Sequence, residues 1–232
     1  MISSTSVDCA YVAVPHYQGA AVLQQLLASK IHVLKEKPAA MSALELESFQ
    51  KLARSNVVTF STASQLRYSG QFRQMQEWLP LLGKIRSAEG IQKISVCDLG
   101  AGWRASRVLS GGGVLIDLGW HLVDLVLNLL SDSSIPGVEF AQVLQTRLSQ
   151  QYDCEDTARV ILNIHNSKLA ARNSPISCSI FITRLGPTKM SQFTVYGESG
   201  SLWMDGDTVE LNLGNKSETR SFGNDVSLNL YK

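Results

Sequence analysis

The sequence predicts an α/β protein, in which part of a parallel, doubly wound sheet is followed by an α/β region built on a largely antiparallel open sheet. Three observations carry this. The first quarter of the chain alternates strand-like with helix-like runs. From Val138 onward, short runs of alternating apolar and polar residues dominate. Between the two lies a glycine-led apolar helix, Gly111 to Leu130, with a polar stripe written into it.

Taken in order, "DCAYVAV" (Asp8 to Val14) is a β-rich run ended by Pro15. "GAAVLQQLLAS" (Gly19 to Ser29) has helical apolar spacing, and "IHVL" (Ile31 to Leu34) is again strand-like. A strand, a helix and a strand in this order imply parallel strands joined by a right-handed crossover. Ser42 and Glu45 form a capping box that opens the next helix, "ALELESFQKLARS". "NVVTFS" (Asn56 to Ser61) supplies a third strand, as expected for part of a nucleotide-binding sheet. A helix follows from Gln71 to Leu82, and then a strand, "IQKISVCDL". After the glycine-led helix come "EDTARVILNIH", "PISCSIFITR", "SQFTVYG" and "SLWMDGDTVELNL". In the first of these, Ala158, Val160, Leu162 and Ile164 share one face, the pattern of a sheet with one buried side. Asp205 to Asp207 reads as a hairpin turn. The change of character predicts two domains, residues 1–64 and 65–232.

Composition narrows the function. With 21 basic and 20 acidic residues the net charge is +1, which argues for neither nucleic acid nor an anionic membrane as partner. The charged stripe makes the Gly111–Leu130 helix a poor membrane span. Four cysteines lie far apart without a C-x-x-C pair, which suits reduced thiols in a cytoplasmic protein and gives no metal site.

The stripe consists of Asp117, His121, Asp124 and Asn128. Spacings of four, three and four residues put all of them on one helix face. Buried ionisable groups cost several kcal/mol or more unless paired, so the stripe should line either a cleft or a satisfied polar network. A catalytic face and a structural network both fit at this point. A third reading comes from "ISVCDLGAGWRA", where Gly100, Gly102 and Ala105 satisfy G-x-G-x-x-A and the Asp98 motif resembles the D-x-G-x-G of class I methyltransferases. It fails on length: only Trp103 to Ser110 separates Gly102 from the triple glycine, too short for the helix that the fingerprint demands.

The stripe's G-G-G-x-x-x-D-x-G-x-H-x-x-D (Gly111 to Asp124), together with "LKEKP" (Leu34 to Pro38), "QLRYSGQF", "CEDTARVILNI" and "VYGESGSLWMDG", resembles the Gfo/Idh/MocA family of glucose–fructose oxidoreductase and inositol dehydrogenase relatives. Order and spacing match from about Asp8 to Leu213. The resemblance implies a Rossmann domain, a C-terminal α/β domain whose open sheet supports homo-oligomers, and NAD or NADP as cofactor. It also implies hydride transfer to or from a hydroxyl-bearing carbon of a sugar, cyclitol or similar small molecule. By position, Lys37, Asp117 and His121 take the catalytic roles. His121 exchanges the hydroxyl proton, as suits a group that titrates near neutrality, and Asp117 orients the substrate or His121. Pro15, Glu36 and Lys37 flank the nicotinamide, while Arg67, Tyr68, Arg104 and Asp117 face the substrate. Asp124 and Asn128 act as supporting or interdomain bonds, Trp103 stands beside Arg104, and Gly19 sits where many members carry histidine.

Two departures bear on function. No strand and glycine-rich turn precede Asp8, and the chain stops at Lys232, where relatives continue into further helices. A glycine-rich turn cradles the pyrophosphate, so cofactor binding by these 232 residues alone is expected to be weak. The alternative to an oxidoreductase is a truncated, non-catalytic paralogue acting as an oligomerising or regulatory binding protein.

Overall fold

The computed structural model describes residues 7–223 apart from 133, 148, 167, 172 and 173. Its first sheet holds three strands, β1 (Cys9–Val12), β2 (His32–Glu36) and β3 (Phe60–Ala63), parallel and in that order. Helix α1 (His16–Ala28) joins β1 to β2, and α2 (Ala43–Ser55) joins β2 to β3. The expected strand–helix–strand unit is therefore present. Val12, Leu23, Leu27, Val33 and Phe49 form its core.

Several boundaries differ from the sequence reading, each for a local reason. Helix α1 starts at His16, with Pro15 as its N-cap, because proline's φ leads into a helix and its missing N–H costs nothing there. Strand β3 starts at Phe60 rather than Asn56 because Asn56 caps α2 and Val57 takes φ +57° to turn the chain. The capping box forms with one shift: Ser42 Oγ accepts from Glu45 N at 3.2 Å, while Glu45 accepts from Met41 N at 2.7 Å. On β2, Leu34 faces outward and Lys35 inward, the reverse of what polarity alone predicts.

Beyond β3, a 3-10 turn (Gln65–Tyr68) leads into α3 (Gly70–Trp78), capped by Ser69. Pro80 has no N–H to give, and the helix tightens into a 3-10 turn at Leu79–Leu82. Strand β4 (Ile85–Ser95) begins six residues before the expected Ile91, its apolar signal hidden by Arg86, Glu89 and Gly90. The short α4 (Arg107–Ser110) precedes the triple glycine. The apolar helix then follows as a π-helical turn, Leu115–Gly119, running into α5 (Trp120–Leu130). Seven strands follow among the described residues: β5 (Gly137–Leu144), β6 (Thr157–Ile164), β7 (Ile176–Thr183), β8 (Leu185–Gly197), β9 (Ser201–Asp205), β10 (Thr208–Leu213) and β11 (Lys216–Ser221).

The larger sheet has the order β11-β10-β9-β8-β4-β7-β6-β5. Its pairings are antiparallel except β4 with β7. The predicted hairpin turn joins β9 to β10, with Gly206 at φ +56°. One face packs on α3 and α5, burying Met75, Trp78, Leu125 and Val126 against Ala158, Val160, Leu162 and Ile180. The other face is open among the described residues. It carries Arg159 and Lys93 over the Phe181 ring, and β5 is exposed along its whole length.

Candidate active site

Two sequence features bring the site together. Lys37 lies just past the C-terminal end of β2, the edge at which parallel α/β sheets bind ligands. Asp117 lies in the π turn at the head of α5. The triple glycine and Glu155 set that turn in place. Glu155 Oε1 accepts from Gly113 N at 2.8 Å and Leu115 N at 3.3 Å, while its backbone oxygen accepts from Val114 N at 2.9 Å. These are the orphan donors of a helix start. A Cβ on Gly113 would sit 2.0 Å from Glu155 O, so only glycine allows this approach. The "CED" of the sequence motif thus seats the helix that carries Asp117 and His121.

Lys37 Nζ donates to Asp117 Oδ1 at 2.9 Å and to Asp117 O at 2.6 Å, leaving one of its three donors uncommitted. Arg184 Nη2 donates to the other carboxylate oxygen at 3.0 Å, and Arg104 Nε stands 3.7 Å from that same oxygen. Burial works against the Asp117 charge, but the Lys37 hydrogen bond and charge, helped by Arg184 and Arg104, outweigh it and hold the carboxyl below its ordinary range. Asp117 is therefore an anionic hub for three cations.

His121 is half-buried, and its ring makes no hydrogen bond among the described residues. Burial lowers its pKa, and Lys37 lowers it further against the pull of Asp117, Asp124 and Glu36. The imidazole is neutral at pH 7 with a nitrogen free to accept a proton. Asp117 and His121 are not hydrogen-bonded to each other. In a regular α-helix, positions four apart are neighbours. The π turn changes the rotation between these two, and cations take both Asp117 oxygens.

Beside this group a cleft of about 330 Å³ is lined by Pro15, His16, Glu36, Lys37, Trp103 and Arg104, with Ala13 and Val14. Glu36 accepts from the Tyr11 hydroxyl and from Lys37 N. The Arg104 guanidinium lies 4.2 Å from the centroid of the Trp103 ring, which in turn meets His16 edge-on at 4.5 Å. His16 Nδ1 donates to Ser110 O at 2.7 Å, and burial keeps the ring neutral. One turn before Gly19, His16 supplies an imidazole on the same helix.

Arg67 and Tyr68 are placed differently. Arg67 forms a two-pronged bond to Asp124, through Nε at 2.9 and 3.1 Å and through Nη2, and Asn128 Nδ2 donates to Asp124 O at 2.7 Å. Together they tie the 3-10 turn after β3 to α5. Tyr68 is 63% exposed. The stripe therefore divides: Asp117 is tied to the cleft residues Lys37 and Arg104, His121 does not line the cleft itself, and Asp124 and Asn128 lie in a satisfied network.

Sequence reasoning missed three residues. Arg184 follows β7, where it looked like the polar end of a strand; its backbone N–H donates to Asp156 O at 2.9 Å. His16 lies between the strand run ended by Pro15 and the helical run from Gly19, and was not singled out. Lys35 is 2% exposed, its Nζ donating to Glu36 O at 2.7 Å, and burial lowers its pKa. The pair "Pro-His" at a strand end was a usable signal for His16, and the alternation of β2 was one for Lys35.

Comparison with known proteins bears on this geometry. A family model described as an oxidoreductase family with NAD-binding Rossmann fold matches residues 1–64, and the GFO/IDH/MocA C-terminal domain matches residues 72–203. The chain belongs to the Gfo/Idh/MocA family. A protein of Amycolatopsis mediterranei described as a UDP-kanosamine synthase oxidoreductase subunit is 36% identical over 138 residues, 59% of this chain and 38% of that protein. Levoglucosan dehydrogenase, solved with NADH and levoglucosan, superposes with a TM-score of 0.80 at 17% identity over 93% of this chain and 61% of that one. An inositol dehydrogenase homolog from Azotobacter vinelandii, solved with NAD+, gives 0.81 at 17% identity over 94% and 58%. At such identity the two structures establish a shared fold. The chain spans less than two thirds of each of these relatives.

Family membership implies a nicotinamide cofactor, and the cleft tests the fit. It opens at the C-terminal ends of β1 and β2, its volume falls in the usual range for small-molecule sites, and Glu36 and Lys37 stand at its edge. These residues fit the nicotinamide end. No glycine-rich turn between strand and helix occurs among the described residues of the first sheet.

Proposed function

We propose that this chain carries the catalytic centre of an NAD- or NADP-linked oxidoreductase acting on a hydroxyl-bearing carbon of a sugar, cyclitol or related small molecule. The observation that carries the proposal is the meeting of Lys37, from the parallel sheet, with Asp117, from the head of α5, beside a neutral His121 whose ring makes no hydrogen bond among the described residues. Lys37 spends two donors on Asp117 and offers the third to the substrate oxygen. Asp117, kept ionised by its cations, fixes the direction of Lys37. His121 takes the hydroxyl proton at an unpartnered imidazole nitrogen and returns it in the reverse direction. A nicotinamide, when bound, accepts or gives the hydride. Pro15, Glu36 and Lys37 would hold its edge of the cleft, with Arg104 and Asp117 on the substrate side. Arg67 and Tyr68 do not line this cleft, and Arg67 supports the reading through its bond to Asp124 on α5.

The division into residues 1–64 and 65–232 belongs to the same proposal, supported by two sheets with separate cores. So does homo-oligomerisation through the open face of the larger sheet, supported by exposed Val138, Phe140 and Val143 on β5 and by Tyr196 on β8. Light scattering that reports only monomer would remove that part. Cysteines that are all free agree with a cytoplasmic protein.

The test is absorbance at 340 nm with purified protein, millimolar NAD+ or NADP+, and a panel of hexoses, cyclitols and anhydrosugars. The expected result is nucleotide reduction with at least one of them, lost in Lys37→Met. Absence of reduction across the panel with both nucleotides overturns the proposal.

A further inference from the structure

The inner face of β7 alternates Ile176, Cys178, Ile180 and Ile182, all buried in the core of the larger sheet. The next position on that face, one residue past the strand's end, is Arg184, which is 5% exposed. Its backbone is clamped on both sides: its N–H donates to Asp156 O at 2.9 Å, and its carbonyl accepts from Val96 N at 2.9 Å. A guanidinium carries five N–H donors. Arg184 Nη2 donates to Asp117 Oδ2 at 3.0 Å, while Nε and Nη1 make no hydrogen bond among the described residues. Neither of these two nitrogens belongs to the unpartnered side-chain atoms that are sealed from solvent. Nη1 shares its carbon with Nη2, so it opens within one guanidinium's width of Asp117.

A counter-charge for Asp117 does not by itself call for an arginine here. Lys37 already stands on the other carboxylate oxygen at 2.9 Å. Burying a guanidinium with donors unspent costs free energy that an apolar residue in the same place would not. Arg184 is also outside the cleft lined by Pro15, Glu36, Lys37 and Arg104. The ion pair with Asp117 offsets its charge, so it offers a ligand hydrogen-bond donors rather than a net positive charge. The complement of such a group is a neutral oxygen. Lys37 and Arg184 occupy the two oxygens of one carboxylate, and Lys37 keeps one donor for the reacting oxygen. A donor held at the other end of that carboxylate is placed to meet the oxygen on the adjoining carbon.

We propose that Arg184 is a specificity-determining residue, which binds the oxygen on the carbon next to the reacting one and so selects molecules with oxygens on two adjoining carbons. This rests on the oxidoreductase reading for the place of the reacting hydroxyl and adds the residue that reads its neighbour. A site built to hydrogen-bond a substrate hydroxyl rejects the analogue that lacks it, because the buried partner is then left unpaired.

The experiment titrates D-glucose, D-galactose and myo-inositol, each with its monodeoxy analogues, by calorimetry in the presence of NAD+ or NADP+. Turnover at 340 nm is followed in parallel, and NMR of the product identifies the oxidised carbon. The natural protein is compared with Arg184→Met and with Arg184→Lys, which keeps a cation for Asp117 but gives up the fork; the melting temperature of each is recorded first. The expected result is that removing one hydroxyl next to the oxidised carbon weakens binding at least tenfold, on the scale of one hydrogen bond to a charged group. In both variants that ratio should fall close to one, because the parent compound loses affinity and its analogue does not. A residue that only supports the fold would lower the melting temperature and weaken parent and analogue alike. That outcome, or a preference for the adjoining hydroxyl that survives in Arg184→Lys, overturns the proposal. Turnover of parent and analogues at equal affinity overturns it while leaving the oxidoreductase reading intact. Arg184-dependent discrimination between a parent compound and one deoxy analogue, without any nucleotide reduction, keeps the Arg184 contact and removes the oxidoreductase reading instead.

Discussion

Replacing Asp117 by asparagine removes one charge and keeps the side chain's shape. In the native protein that charge is shared by Lys37 at 2.9 Å, Arg184 at 3.0 Å and Arg104 at 3.7 Å. The Lys37 and Arg184 side chains are 16% and 7% exposed, so the variant leaves two poorly hydrated cations without a counter-charge. Arg104, at 53% exposed, is hydrated in either case and adds little. Removing one partner of a buried pair costs about 3–5 kcal/mol. At roughly 2–4 °C per kcal/mol for a chain of this size, the melting temperature should fall by about 6–20 °C. Thermal unfolding followed by circular dichroism at pH 7 measures it. A second variant, Asp117→Asn with Arg184→Met, removes the more buried surplus cation and should recover part of the loss. The sign with pH provides a further check. The folded-state carboxyl titrates below its ordinary value, so its contribution is complete above the ordinary carboxylate range and disappears as pH falls through the lowered value. The gap between natural protein and variant should close in acid. An Asp117→Asn melting temperature within about 2 °C of the natural one at pH 7 would refute the charge hub, because even 1 kcal/mol would show at that scale.

Other outcomes follow from the same groups. Lys35→Met exchanges a buried amine with one carbonyl partner for an apolar chain of similar length, and should stabilise by about 1–3 kcal/mol; a lower urea midpoint would mean that the amine is better satisfied than its single bond indicates. His121 and His16 are both held neutral by burial, below the ordinary 6.5. Folding stability should therefore be complete above pH 6.5 and decline as pH falls toward the lowered values, because the unfolded chain takes up protons first. For the same reason, kcat/KM for alcohol oxidation should show its acid limb below pH 6.5, and a limb above pH 7.5 would exclude His121 as the base.

The parallel unit was legible from alternation and caps: the Ser42–Glu45 pair located the start of α2 correctly. Lys37 and the Asp117–His121 spacing were legible because family motifs carry them, and the structure brings Lys37 and Asp117 together across 80 residues of sequence. Arg184 was not legible, since its role depends on how β7 ends beside the π turn, a relation between distant segments with no local pattern. Lys35 was not singled out, for the opposite reason. Local polarity puts it outside, but strand alternation and the space beside Gly19, whose Cβ would lie 3.4 Å from Lys35 Cε, put it inside. The π turn Leu115–Gly119 had no sequence signature, because its residues fit the same helical spacing as the rest of the segment.

The central claim is that His121 works on a substrate rather than on the fold. The direct measurement is turnover and melting temperature of His121→Asn, side by side with the natural protein at pH 7. His121 makes no hydrogen bond among the described residues, so the substitution should leave stability within about 1 kcal/mol. Loss of the proton acceptor should lower nucleotide reduction by about 10²–10⁴-fold. Undiminished turnover with a sharply lowered melting temperature would make the imidazole part of the scaffold and contradict the account.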